Sequence, residues 1–145
     1  MIEFFTGSEK GPDRYHNEDR YWVSADRRLC AVLDGCGGRG IVADLVVESL
    51  ARQFGSAESE IGFESLLVAV QHANTEVVEQ MRTRSEGRGS GTTLDLLAFV
   101  GSELVGIHVG DGRVYLLKPA VAIEKILARA AASHDSGTIV VAAVY

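Results

Sequence analysis

Residues Leu29–Leu33 (LCAVL) form an unbroken apolar run that ends on Asp34 and then on Gly35-Cys36-Gly37-Gly38. A short apolar run closed by glycines reads as a buried strand. A carboxylate at its end is held by a rigid element. Gly35 adds a backbone carbonyl that nothing shields, so a cation could approach it closely. The same Asp34 also suits a cap for the turn or helix that follows. The local pattern leaves both readings open.

The rest of the chain arranges itself around that strand. Residues 2–5 read as a short strand, followed by a polar turn from Gly7 to Asp19. Tyr21–Ser24 pairs naturally with Leu29–Leu33 across the turn Asp26-Arg27-Arg28. The glycine-rich stretch Gly35–Gly40 ends the second strand. Val42, Leu45, Val46, Ser49 and Leu50 keep helical spacing, as do Phe63, Leu66, Leu67, Val70, Ala73, Val77, Val78 and Met81. Gly87–Thr93 (GRGSGTT) reads as a tight entry into a strand. Thr92–Val100, Leu104–Val109 and Val114–Leu117 then predict an antiparallel meander. A helix from Pro119 through Val121–Ala132 and a final buried strand over Thr138–Val144 complete the order. The class is α+β, helices packed on largely antiparallel sheet, in a single domain over 1–145.

Charge and cysteine usage narrow the function. The chain holds 14 Lys and Arg against 20 Asp and Glu, a net charge of -6, which disfavours nucleic acid and anionic lipid as partners. No apolar run approaches the roughly 20 residues of a membrane span, and the N-terminus lacks the pattern of a secretory signal. Two cysteines, Cys30 and Cys36, are too few for a disulfide framework, so the expected compartment is the reducing cytoplasm. Neither shows the Cys-x5-Arg spacing of a thiol-based phosphatase.

Four acidic clusters fall at strand ends or in adjoining turns: Asn17-Glu18-Asp19, Asp34-Gly35, Gly110-Asp111-Gly112 and Asp135. Such carboxylates can converge at one end of a sheet, the donor set of Mg²⁺ or Mn²⁺. Gly35–Gly40 also fits the dinucleotide pattern GxGxxG. Against it, Asp34 would face a pyrophosphate, a second helix follows where a parallel strand is required, and no acid-terminated strand comes about 20 residues later.

Together these pieces resemble the metal-dependent PPM (PP2C-type) Ser/Thr protein phosphatase family in its bacterial form. The matching stretches are Arg14-x-x-Asn17-Glu18-Asp19, Ala31–Gly38, Ala73-Asn74, Gly89–Leu94, His108–Tyr115 and Asp135–Val141, in the family's order. The resemblance implies a sandwich of antiparallel sheets flanked by helices. It implies two Mg²⁺ or Mn²⁺ ions that activate a water for in-line attack on phosphorus, and a phosphorylated protein as substrate. Asp34 would bridge both ions, aided by the Gly35 carbonyl. Asp135 would serve the second ion, and Asp19 with Glu18 would hold the metals directly or through water. Asp111 would bind a third, weaker ion, and Arg14 would grip the phosphate.

The chain also departs from that pattern. A block of the family's domain is missing between about residues 118 and 119, and with it an Asp-Gly motif that supplies a metal ligand. No Asp occurs between Asp111 and Asp135. Cys36, Gly112 and Ser136 stand where relatives carry Met or His, Ser and Asn. A reduced sandwich would leave a sheet edge open to homodimerisation. The competing reading is a catalytically impaired relative that binds phosphoprotein or regulates a partner; a nucleotide-binding protein ranks third.

Overall fold

A computed structural model of the chain describes residues 2–56, 59–84 and 89–115, together with the backbone of 137–144. The elements in chain order are β1 (Ile2–Glu9), β2 (Arg20–Ser24), β3 (Leu29–Leu33), β4 (Gly35–Cys36), α1 (Ile41–Phe54), α2 (Phe63–Arg82), β5 (Gly91–Thr92), β6 (Leu94–Val100), β7 (Glu103–Val109) and β8 (Gly137–Val144). Strands β2-β3-β6-β7 make a four-stranded antiparallel sheet. β1 pairs with β8, and β4 with β5, both antiparallel.

Strand alternation decides the core. Leu29, Ala31 and Leu33 on β3 and Leu94, Leu96 and Ala98 on β6 share one buried face. Against that face pack Ala43, Val46, Leu50 and Phe54 of α1 and Leu66, Ala69 and Ala73 of α2. Fully burying one such leucine contributes roughly 1.5–3 kcal/mol. Trp22 stacks on Phe54 with ring centroids 6.3 Å apart, so the one tryptophan is a packing residue. On the sheet's other side, Phe4 of β1 meets Phe99 of β6 edge to face at 6.3 Å. The β1–β8 ribbon thus covers the face that the helices leave open, and the sandwich of antiparallel sheets flanked by helices is realised in reduced form.

The helices begin at glycines for local reasons. Gly40 precedes α1 at φ 83°, a left-handed conformation that disfavours side chains. At the start of α2, the Ser65 hydroxyl accepts the Gly62 N–H at 2.9 Å and satisfies an otherwise orphaned donor.

Three expectations need correction. The first strand runs on to Glu9, because Gly7, Ser8 and Glu9 find partners in Ile139, Thr138 and Gly137 of β8. The glycine-rich stretch does not simply end β3, since Gly35-Cys36 resumes pairing as β4. Val114 and Tyr115 are irregular rather than a third meander strand. Residues 116 and 117, the helix expected over Val121–Ala132, and Asp135 lie outside the described residues. Among the described residues β2 and β7 are the outer strands of the four-stranded sheet. No helix among them is long and apolar enough to cross a membrane.

Cys30 is buried and Cys36 exposed, both as free thiols. Burial pushes the Cys30 thiol up to about 11, so it stays protonated and inert. We expect an aromatic disulfide reagent to titrate one thiol rapidly in the native chain and the second only on unfolding. Cys36→Ser should abolish the rapid phase.

Candidate active site

The site forms where β3 runs off the end of the four-stranded sheet. Val32 faces Asp95 in one ladder and Gly35 faces Thr92 in the next, so Asp34 falls opposite Thr93 with no change of register. There the threonines grip the Asp34 backbone from both sides. The Asp34 N–H donates to Thr93 Oγ1 at 3.0 Å, and the Thr93 N–H donates to the Asp34 carbonyl at 2.9 Å. The Thr92 hydroxyl lies 3.1 Å from that same carbonyl and 3.0 Å from its alternative acceptor, the Thr93 carbonyl. Asp34 itself is exposed. Its backbone is fixed while its carboxylate faces an open cavity.

That cavity has a volume of about 520 Å³. Asp34, Gly35, Cys36, Thr92 and Thr93 line it from the strand ends. Arg14, His16, Glu18 and Asp19 line it from the β1–β2 turn, and Asp111 from the turn after β7. The structure therefore brings together Arg14, Glu18, Asp19, Asp34, Gly35 and Asp111 from three separate segments. Asp135 falls outside the described residues.

Close backbone approach fixes the acidic turn. A Cβ on Gly35 would collide with the Glu18 carbonyl oxygen, so only glycine lets the β1–β2 turn come this near. The Asn17 side chain accepts the Asp19 N–H at 3.0 Å and donates to Ser8 Oγ at 2.8 Å, tying the turn to β1. Glu18 Oε2 accepts the Gly38 N–H at 3.2 Å. Asp19 is only 4% exposed, whereas Asp34 is open to the cavity. Arg14 is exposed, and its carbonyl accepts Lys10 Nζ at 2.6 Å.

Four carboxylates dominate the donors around this cavity, beside His16 and Cys36, and a mainly oxygen set suits Mg²⁺ or Mn²⁺. Among the described residues no three His, Cys, Asp or Glu groups already converge on one point. The fit to a divalent cation therefore rests on the donor chemistry and on the shared cavity. The glycine-rich run does not form a dinucleotide site: α1 leads into α2, and β3 pairs antiparallel with β6, so no parallel crossover is built.

Sequence reasoning missed three contacts. The threonine clamp is hidden because Asp34 and Thr93 stand 59 residues apart. So is the hydrogen bond from Gly38 to Glu18. The third joins Asp95 of β6, 8% exposed, to His108 of β7, with Nδ1 2.6 Å from Oδ1. These two residues are direct partners across the ladder. Gly112 lies against the Asp95 carboxylate, so close that a Cβ there would require that carboxylate to shift.

With this geometry in place, comparison with known proteins identifies the class. The chain belongs to the protein phosphatase 2C family, whose model matches residues 8–143. Among relatives, it is 31% identical over 121 residues to the serine/threonine protein phosphatase PstP of Mycobacterium tuberculosis, covering 81% of this chain and 23% of that protein. It is 28% identical to the serine/threonine phosphatase stp of Listeria monocytogenes, covering 77% of this chain and 48% of that one. The chain thus spans about a quarter to a half of these relatives. The catalytic domain of PstP, solved in complex with two manganese ions, superposes with a TM-score of 0.73 over 99% of this chain and 73% of that structure, at 24% identity. The phosphatase MsPP from Mycobacterium smegmatis, solved with cacodylate, gives 0.64 at 30% identity, over 75% of this chain and 46% of that one.

Two outcomes follow from the local geometry. Thr93→Val removes the hydroxyl that accepts the Asp34 N–H and leaves shape nearly unchanged; the bond is exposed, so urea denaturation should register a loss of about 0.5–1.5 kcal/mol. The His108 imidazole is held above the ordinary histidine value, chiefly by its hydrogen bond to Asp95. Its stabilisation is complete below about pH 6.5, the unfolded value, and is lost as pH rises through the higher folded value. The stability gap between the parent chain and Asp95→Asn should therefore narrow as pH rises through that folded value. A proton NMR titration should place the His108 midpoint above 6.5 in the parent and lower in Asp95→Asn.

Proposed function

We propose that the chain is a metal-dependent protein phosphatase acting on phosphoserine and phosphothreonine. The observation that carries this reading is the meeting of Arg14, Asp19, Glu18, Asp34 and Asp111 at one cavity, with Asp34 locked at its backbone and open at its carboxylate. Asp34, the Gly35 carbonyl, Asp19 and Glu18 would hold two Mg²⁺ or Mn²⁺ ions, with Asp135 as a further ligand and Asp111 serving a weaker third site. The chemistry that such ions supply is activation of a water and neutralisation of phosphoryl charge.

The chain's own residues perform the rest. Arg14 binds the phosphoryl oxygens by charge-assisted hydrogen bonds and orients the phosphorus. The threonine clamp keeps Asp34 from drifting when its charge partner changes. The Gly35–Glu18 approach keeps the acidic turn against the strand end. No side chain has to form a covalent bond to phosphorus. The substrate is then a phosphorylated protein, and the single domain is a shortened version of the family's, missing a block near residues 118 and 119. An open sheet edge in such a domain favours a homodimer.

The deciding experiment is hydrolysis of p-nitrophenyl phosphate and a phosphothreonine peptide across a Mn²⁺ titration. We expect turnover that requires Mn²⁺ and falls by at least about 100-fold in Asp34→Asn, while Arg14→Ala raises KM. A well-folded chain that binds the phosphopeptide without turning it over would replace this reading with that of a binding or regulatory module.

A further inference from the structure

We propose that Arg20 is a positioning residue, braced on Asp44, that sets the acidic turn Asn17-Glu18-Asp19 at the edge of the cavity. The guanidinium divides its donors between two elements. Nε lies 2.5 Å from Asp44 Oδ1 and Nη2 lies 3.0 Å from Oδ2, a two-pronged pair with the first turn of α1. Nη1 donates to the carbonyls of Asn17 at 3.0 Å and Asp19 at 2.8 Å. These two carbonyls bracket Glu18, so one nitrogen fixes the curvature of the turn.

Several further observations converge on the same group. The guanidinium packs closely over Gly40, where a Cβ would lie 2.6 Å from Nη2, so the brace runs along the backbone that opens α1. The side chains of Arg20 and Asp44 are 30% and 49% exposed, so as a surface ion pair they add little to global stability. Their value is geometric: a planar fork holds two acceptors on one element while a third nitrogen serves another, which an ammonium group cannot reproduce. Through the turn, the brace sets where the Asp19 side chain is buried and where Glu18 meets Gly38. Arg20 does not line the cavity and acts through Asp19 and Glu18, which do. Its effect on metal binding rests on the phosphatase reading above; its effect on the turn does not.

The test is amide hydrogen exchange on the intact chain, comparing the parent with Asp44→Asn, Arg20→Lys and the double variant. The Asp19 and Gly38 amides report the turn, since they donate to Asn17 Oδ1 and Glu18 Oε2. We expect exchange at both to quicken about 10-fold or more in each single variant, with amides of β3 and β6 unchanged. The double variant should be no worse than the more severe single one, because both break one unit. Unchanged exchange at Asp19 and Gly38, or equal acceleration throughout the sheet, overturns the proposal. Asp44→Asn preserves side-chain shape and carries the test alone if Arg20→Lys fails to fold. Calorimetry with Mn²⁺ should show affinity about 10–100-fold weaker in Asp44→Asn. A parent chain that binds no Mn²⁺ overturns the metal reading, and exchange alone then decides the brace.

Discussion

The pairing of Asp34 with Thr93 is the constraint on which the arrangement of this molecule turns. It sits where the four-stranded sheet gives way to the short β4–β5 ladder, and it carries one register across the gap. Were the register to slip by a residue, Leu29, Ala31 and Leu33 would leave the helix-covered face. The same slip would take Thr93 away from Asp34. The hydrophobic core and the acidic cavity are therefore specified by one alignment of strands.

Much of this was legible in the sequence because it rests on local signals. Leu29–Leu33 is the observed strand, and both helices follow the apolar spacing of Val42–Leu50 and Phe63–Met81. The polar turn and the glycine-rich stretch were less legible, since their pairing is decided by distant strands. Nothing local to Gly7-Ser8-Glu9 announces a partner near residue 138, and nothing in Gly35-Cys36 announces Gly91-Thr92. The acidic residues could be nominated individually, and resemblance to a family ordered them. Their meeting at one cavity is a property of topology, as are the threonine clamp and the Asp95–His108 pair.

The electrostatics of the cavity explain why an acidic chain would suit an anionic substrate only with help. Among the described residues, Glu18, Asp19, Asp34 and Asp111 face the same space as one guanidinium, that of Arg14. Such a lining repels a phosphate. Divalent cations reverse the sign locally, and clustered carboxylate oxygens are the donors that hard cations favour. The net charge of -6 is thus no argument against phosphate chemistry, because what matters is the field at the site and not the sum over the chain.

The long separation between Asp34 and Thr93 has a kinetic meaning as well. Joining residues 59 apart in sequence requires closing a long loop before any contact rewards it. Both helices lie inside that loop. Helix α1 and helix α2 pack on each other as neighbours in the chain, and their formation shortens the path that β3 and β6 must close. Strand pairing then completes the core and the cavity in the same event. A chain in which β3 and β6 have not paired therefore has neither a closed core nor the Asp34–Thr93 end of the cavity.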